Sequence, residues 1–204
     1  MPHADASLVP QHIATKEAFW YHVYMQLGAL LEGERNWVSN LSNAASLIYN
    51  SLLAFPAHFG PADRAVNWSG MFFSRFYLDA ELFPGKKRDP KLPRLLLLGP
   101  FSGKPACQFI HTQAGKGVCA DAFVHRTTVV VPDVDKYPGH IACDGETKSE
   151  IVIPLIRRDL PAGETALGVL DLDSLILNGF DDDDKRGLEH IADLIVQSCD
   201  WDCT

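Results

Sequence analysis

Apolar residues recur at helical spacing in two segments near the start of the chain. They stand every three or four positions: Phe19, Val23, Leu27, Leu30 and Leu31 in residues 15–32, and Val38, Leu41, Ala45, Ile48 and Leu52 in the segment that ends before Pro56. This spacing places them on one side of an α-helix, where they can pack against a core. The pattern therefore predicts two successive amphipathic helices.

The pattern changes between Trp68 and Leu175, where short runs of strand-forming residues are separated by glycine and proline. We predict about six strands there: SGMFFSRFYL, RLLLLG, CQFIHTQ, TTVVV, SEIVIPLIRR and TALGVLDLD. A short helix is predicted within GKGVCADAFVH, and residues 181–199 predict a closing amphipathic helix. Because the regular strand–helix alternation of a parallel sheet is missing, we expect an α+β fold, with an antiparallel sheet and its terminal helices on one face.

The domain organisation predicted from the sequence is simple. The 204 residues are enough to bury one substantial core, and no internal repeat divides them. We predict a single domain over residues 1–204, with a polar lead over 1–14 and a proline-rich loop insertion over 79–94.

Charge narrows the classes of partner. The formal net charge is −8 and the isoelectric point is near 5.4, which argues against nucleic acid. The one basic cluster, GKKRDPK, is interpreted as a solvated loop. No membrane span or secretory leader is predicted. We therefore expect a cytoplasmic, reducing location, where cysteines are more often catalytic, metal-binding or buried than paired for structure.

The five cysteines fall into two groups. Cys107, Cys119 and Cys143 lie in the strand-rich region, whereas Cys199 and Cys203 lie in the last six residues. The spacing of the first group is not that of a zinc finger, so we predict no metal. Cys143 follows a Pro-Gly turn in a polar loop, where a reactive thiol reaches solvent. Cys119 follows GKGV at a predicted helix start, which favours a thiolate. We expect Cys199 to be buried.

The carboxylates of GVLDLDS form a second candidate feature. The two-residue period of a strand puts Asp171 and Asp173 on one face, roughly 7 Å apart. Glu150, in SEIVIPL, joins them if its face lines the same cavity. Such a cluster calls for a cation between or near the acids, which is a metal, an arginine or the ammonium of a ligand. Exposed acids on an edge face remain an equally good interpretation of the spacing alone.

Three further features have ordinary alternatives. Trp68 begins a strand and is either core or the aromatic wall of a pocket. His140 either lowers the thiol pKa of Cys143 or contacts only water. The acidic run FDDDDK at 180–185 is interpreted as a helix cap rather than a metal site.

Several long motifs, in a fixed order, resemble one known family. LLLLGPFSGKPAC, GKGVCADA, VPDVDKYPGHIACDGETKSEIVIPL and LGVLDLDS are similar to the free methionine-(R)-sulfoxide reductases, which are single-domain enzymes of the GAF fold. The resemblance runs from about Trp68 to the final helix. It implies an antiparallel sheet flanked by helices, in agreement with the architecture expected from the pattern.

The resemblance also implies roles for individual residues. Cys107, Cys119 and Cys143 match the three redox cysteines of the family, and Glu150, Asp171, Asp173 and Trp68 match its substrate site. Two departures affect this site: Phe72 stands where the family has a tyrosine, and the Cys107–Cys119 segment is longer than in bacterial members.

The implied activity is reduction of free methionine-(R)-sulfoxide without a cofactor. Cys143 is expected to attack, with Cys119 as its rival, and a second cysteine converts the resulting sulfenic acid into a disulfide. Thioredoxin is the expected reductant, and a homodimer is left open. Two other classes compete: a GAF sensor that binds a small ligand without chemistry, and a zinc-stabilised interaction domain. A sensor has no need of three thiols around its cavity.

Overall fold

The computed structural model describes residue 5 and residues 9–59, 66–74, 94–141, 144–159 and 163–201. Cys143, Cys203, nearly all of the predicted loop insertion over 79–94 and about half of the polar lead over 1–14 lie outside these residues. The helices are α1 (Lys16–Leu31), α2 (Trp37–Leu53), α3 (Pro56–Phe59), α4 (Val118–His125) and α5 (Asp182–Gln197). The strands are β1 (Val66–Ser74), β2 (Leu95–Gly103), β3 (Phe109–His111), β4 (Val129–Val131), β5 (Ser149–Arg157) and β6 (Thr165–Ser174).

The strands of the described chain form one six-stranded antiparallel sheet in the order β3-β2-β1-β6-β5-β4. This confirms the predicted α+β class and all six predicted strands. Strands β1, β6 and β5 lie inside the sheet, and nearly all of their side chains are buried on both faces. No described helix is long and apolar enough to cross a membrane.

Three of the four predicted helices, α1, α2 and α5, begin with a side-chain cap. Thr15 accepts a hydrogen bond from the amide of Ala18 at the start of α1, and Asn36 accepts one from Ser39 at the start of α2. At α5, the Asp181 side chain and Asp184 form a reciprocal capping box, which satisfies amide groups that a helix start leaves unpaired. The acidic run is therefore a cap, as predicted.

The larger hydrophobic core lies between one face of the sheet and the helices α1, α2 and α5. Alternate strand residues such as Ile151 and Leu170 point into it. The predicted helix stripes supply the other side, with one error: Val38 is 47% exposed. It is only the second residue of α2, and the core contact at this end is made by Trp37, which packs against Phe73.

A buried ion pair joins the two ends of this core. The ammonium of Lys16 contacts the carboxylate of Asp184 directly and lies 2.9 Å from an oxygen of Asp181. The indole N–H of Trp20 donates to the second oxygen of Asp184 over 2.8 Å. Lys16 also lies over the ring of Phe59. The network connects the start of α1 to the start of α5, and the sequence pattern did not predict it.

The opposite face of the sheet carries a smaller apolar cluster. It contains Trp68 and Phe72 of β1, Val152 of β5 and Val169 of β6, with α4 packed over them. Since α4 has only eight residues, it covers part of this face and leaves room for a pocket beside it.

Candidate active site

The pocket lies between α4, the centre of the sheet, the loop 104–107 and the described residues His140, Ile141, Asp144 and Thr147. Its empty volume is about 790 Å³, including the solvent at its mouth. Six of the seven predicted site residues line it: Trp68, Cys107, Cys119, Glu150, Asp171 and Asp173. The seventh, Cys143, lies outside the described residues, but Ile141 and Asp144 on either side of it also border the pocket.

The three carboxylates are held on neighbouring central strands. Glu150 pairs in register with Asp173, and Val152 pairs with Asp171, so the acids project from the same face. Glu150 is 5% exposed, Asp171 6% and Asp173 9%. This burial excludes the alternative that the acids lie on an exposed edge face. The period-two prediction for both strands is confirmed.

Burial keeps protons on this cluster. It raises the pKa of Glu150 well above the usual 4.5, and the charge of Asp173 raises it further. Burial likewise raises the pKa of Asp171, with the charge of Glu150 as the second cause. The pKa of Asp173 rises for the same reason, with Asp171 as the nearby charge. Carboxylates that share a buried site cannot all ionise at little cost, so at least one remains a carboxylic acid.

Cys119 belongs to the same cluster. Its Sγ lies 3.4 Å from Oδ2 of Asp171 and 3.9 Å from Oε1 of Glu150, and its side chain is buried. Burial, followed by the charges of Asp171 and Glu150, raises the pKa of this thiol. The predicted helix start is confirmed, but the predicted thiolate is wrong, because desolvation and adjacent negative charge outweigh the helix dipole.

The two described pocket cysteines differ in access. Cys119 is on the floor of the pocket, whereas Cys107 is partly exposed at its mouth, in the loop between β2 and β3. Cys199, which follows α5, is buried as predicted.

Trp68 forms an aromatic wall. Its ring stacks between Phe72 and Phe101, with centroid distances of 5.7 Å to each. Gly70 makes this possible, because a Cβ there would come 2.5 Å from the Trp68 ring and 2.4 Å from Cβ of Phe101. Trp68 is therefore both a core residue, in the smaller cluster, and part of the pocket wall.

Two buried polar atoms at this wall have no hydrogen-bond partner among the described residues. They are Nε1 of Trp68, a donor, and Oδ1 of Asp171, an acceptor. Buried polar groups are nearly always paired, so this combination is typical of a site that binds a polar ligand.

His140 also enters the pocket. Its Nε2 lies 3.5 Å from Oε2 of Glu150, and its side chain is partly exposed at the far end. Burial lowers the pKa of His140. The sequence interpretation considered only an effect on Cys143 and missed the contact with Glu150, although the histidine stands inside the motif GHIAC.

Three further contacts hold the loops around the pocket. Lys104 pairs with Glu146 and lies 3.5 Å from Asp144, which connects the loop of Cys107 to the segment after Cys143. The side-chain amide of Asn67 donates to the carboxylate of Asp144 over 3.1 Å.

The turn before Cys143 is fixed to α4. The hydroxyl of Tyr137 donates to Asp121 over 2.7 Å, and the other oxygen of Asp121 accepts from the amide of Gly115. Burial, aided by this hydrogen bond, raises the pKa of Tyr137 to about 12. Gly139 is in the left-handed region at φ +75° and packs so closely on Gly115 that a Cβ would lie 2.2 Å from its carbonyl oxygen.

The sulfur and carboxylate oxygens on the floor of the pocket could also bind a cation. The ligand atoms of Cys119, Glu150 and Asp171 all lie within 4.8 Å of one another. An ammonium fits such a set without a fixed coordination geometry, and it requires only that some of the acids be ionised.

The similarity to known proteins agrees with this geometry. Residues 44–199 match the family model of the GAF domain. The chain is 44% identical over 184 residues to the free methionine-R-sulfoxide reductase of Saccharomyces cerevisiae, over 90% of this chain and 87% of that protein. A solved structure of a GAF domain superposes with a TM-score of 0.76 at 41% identity, covering 98% of this chain and 97% of that one.

A second solved structure is the free methionine-R-sulfoxide reductase of Neisseria meningitidis in complex with its substrate. It has a TM-score of 0.71 at 31% identity and covers 94% of this chain and 95% of that one. The match to the yeast enzyme spans nearly the whole of both proteins and includes both the sheet and the pocket. The chain therefore belongs to the free methionine-R-sulfoxide reductase family and has its GAF fold.

Proposed function

We propose that this protein reduces free L-methionine-(R)-sulfoxide to L-methionine. The observation that carries the proposal is a floor of three buried carboxylates beside an aromatic wall, in a pocket bordered by Cys107 and by the segments on both sides of Cys143. The named relatives act on this substrate, and the motifs of the chain match theirs.

The carboxylates give the pocket its preference for a free amino acid. Asp171 and Asp173 lie next to each other on β6 and are suited to receive an ammonium group. Charge-assisted hydrogen bonds of this kind are the stronger ones in proteins. Trp68 covers the methyl and sulfur end of the substrate. A methionine within a polypeptide has an amide in place of the ammonium, so it would leave the buried charge without a partner.

Glu150 supplies the acid that the reaction needs. A thiolate attacks a sulfoxide sulfur readily only when the oxygen receives a proton. Burial and the charge of Asp173 raise the pKa of Glu150, which favours its protonated form. The Cys143 thiolate attacks the substrate sulfur and forms a sulfur–sulfur bond while Glu150 protonates the oxygen. Transfer of this hydroxyl group to the sulfur of Cys143 breaks the sulfur–oxygen and sulfur–sulfur bonds, which gives methionine and a sulfenic acid on Cys143.

His140 returns the proton to Glu150. It connects the buried carboxyl group with the outside, since one ring nitrogen lies 3.5 Å from Glu150 and the side chain is partly exposed. Its lowered pKa favours the neutral ring, which can pass a proton from one nitrogen to the other without retaining a charge.

The cysteines then have different tasks. Cys143 attacks from a polar loop, and Cys107, at the pocket mouth, resolves its sulfenic acid with release of water. Cys119 remains a thiol and donates to the carboxylates, because its pKa is raised. The sequence left both Cys107 and Cys119 as candidates for the second cysteine of the disulfide. We assign this role to Cys107.

Thioredoxin resets the enzyme by reducing the disulfide. Recycling of this kind belongs to a reducing compartment, so the cytoplasmic location and the single catalytic domain remain part of the proposal. The function is tested by turnover with the separated R and S epimers of free methionine sulfoxide. A sensor domain would bind a ligand without turnover, and a zinc-stabilised domain would retain metal after purification.

A further inference from the structure

Two exposed apolar side chains, together called the apolar collar, lie at the outer end of the pocket. The collar consists of Phe109, at the start of β3, and Ile141, in the segment before Cys143. They are 52% and 53% exposed, although large apolar side chains usually lose most of their exposure on folding. Cys107 is partly exposed at the same mouth, so the collar adjoins the more accessible of the two described pocket cysteines.

The charge beside the collar differs from that of the whole protein. The chain carries −8, yet Lys116 and His111, which line the same mouth, form no ion pair among the described residues. His111 meets the ring of Phe109 edge to face. The mouth is therefore apolar, with one lysine at its border that is unpaired in the described part of the chain. This suits a partner that is apolar at its contact centre and carries an acidic group opposite Lys116.

The sheet edge adds a backbone surface at the same place. β3 is the edge strand, and within the described chain it pairs only with β2. The carbonyl of His111 already accepts from the amide of Gln113, so only part of the outer backbone of β3 is open to an extended segment of another protein. Apolar side chains, Lys116 and part of a strand edge thus lie around one cysteine.

We propose that this collar is the docking surface for the protein dithiol that reduces the enzyme. The proposal rests on the proposed function, because it requires a disulfide between Cys107 and Cys143. A thiolate of the reductant attacks the sulfur of Cys107, which forms a mixed disulfide, and Cys143 leaves as a thiolate and takes up a proton. The second thiol of the reductant then attacks its own half of the mixed disulfide, which frees Cys107 and leaves the reductant oxidised.

The test compares two reductants in the same assay. Phe109→Ser and Ile141→Ser are assayed for turnover of free methionine-(R)-sulfoxide, once with thioredoxin and its reductase and once with dithiothreitol. The collar predicts that kcat/KM for thioredoxin falls roughly tenfold or more beyond any change in the rate with dithiothreitol, as for central interface residues. Dithiothreitol is small and needs no docking surface, so its rate also shows that each variant is folded.

Leu177→Ser is the matched control. Leu177 is 50% exposed, like the collar residues, but it lies beyond β6 and does not border the pocket. The Leu177→Ser variant should turn over substrate at the wild-type rate with thioredoxin and with dithiothreitol. Lys116→Glu should raise KM for thioredoxin most at low salt, because rim charges act through steering.

Two results would overturn the docking surface. One is an equal loss with both reductants in the collar variants, which would make the collar part of the substrate site. The other is no loss with either reductant. A wild-type protein without turnover on dithiothreitol would instead refute the proposed function, so the two failures are distinguishable.

Discussion

The sulfur of Cys119 lies 3.4 Å from a carboxylate oxygen of Asp171 on the floor of the pocket. A thiolate at this distance from a buried carboxylate would be repelled, so Cys119 holds its proton and acts as a hydrogen-bond donor. In the proposed reaction, this contact makes Cys119 a hydrogen-bond partner of the acids, whereas Cys107 and Cys143 exchange electrons.

The first prediction concerns these cysteines. Cys143→Ser should abolish turnover, because an alcohol is a far weaker nucleophile than a thiolate at neutral pH. Cys119→Ser should still release one equivalent of methionine per enzyme in a reaction without reductant, since serine can also donate to Asp171. Quantifying methionine in a single turnover checks this. A full burst from Cys143→Ser together with none from Cys119→Ser would exchange the two roles.

The second prediction concerns the separate roles of the three carboxylates. Asp171→Asn and Asp173→Asn should mainly raise KM, because each removes a partner of the ammonium. Glu150→Gln should mainly lower kcat, because glutamine cannot give a proton to the sulfoxide oxygen. A lost charge-assisted hydrogen bond costs about 1.5 to 3 kcal/mol, or roughly ten- to a hundredfold. Steady-state kinetics measure the split; similar losses in both parameters for all three variants would show that the carboxylates act as one unit.

The third prediction concerns proton return through His140. The rate should be high while Glu150 is protonated and should fall as pH rises through its folded pKa, which lies well above 4.5. His140→Ala should lower kcat, and added imidazole should restore part of the rate, since a free imidazole can carry the proton. The pH profile of kcat with and without imidazole is the measurement. A variant rate that imidazole does not change would limit His140 to positioning Glu150.

The fourth prediction concerns stability. Lys16→Met leaves Asp184 buried without its cation and should lower the free energy of unfolding by about 3 to 5 kcal/mol. The control, Lys136→Met, removes an exposed partner of Asp133 and should leave the free energy of unfolding nearly unchanged. Urea denaturation measures both. Equal losses in the two variants would mean that the buried pair adds nothing beyond a surface pair.

Much of this site was predictable because strand periodicity is local. The alternation in GVLDLDS was sufficient to place Asp171 and Asp173 on one face, and the same rule placed Glu150 with them. The helix cap at Asp181 was equally local. These assignments require only the positions of neighbouring residues in the sequence.

The remaining features depend on contacts between distant segments. The protonated state of Cys119 follows from burial next to two other strands, which the helix-start pattern does not include. The contact of His140 with Glu150 depends on how a turn folds over the sheet. The Lys16–Asp184 pair joins residues from opposite ends of the chain. No local pattern contains these distances.

Turnover with the separated epimers of free methionine sulfoxide is the most direct test of the proposed reaction. With dithiothreitol as reductant, the protein should reduce the R epimer of the free amino acid. Neither the free S epimer nor N-acetylmethionine-(R)-sulfoxide, which has no ammonium for Asp171 and Asp173, should be reduced at a comparable rate. Equal rates on the free and the N-acetylated R epimer would contradict the role of the carboxylates, and no turnover of any of the three would contradict the proposed function itself.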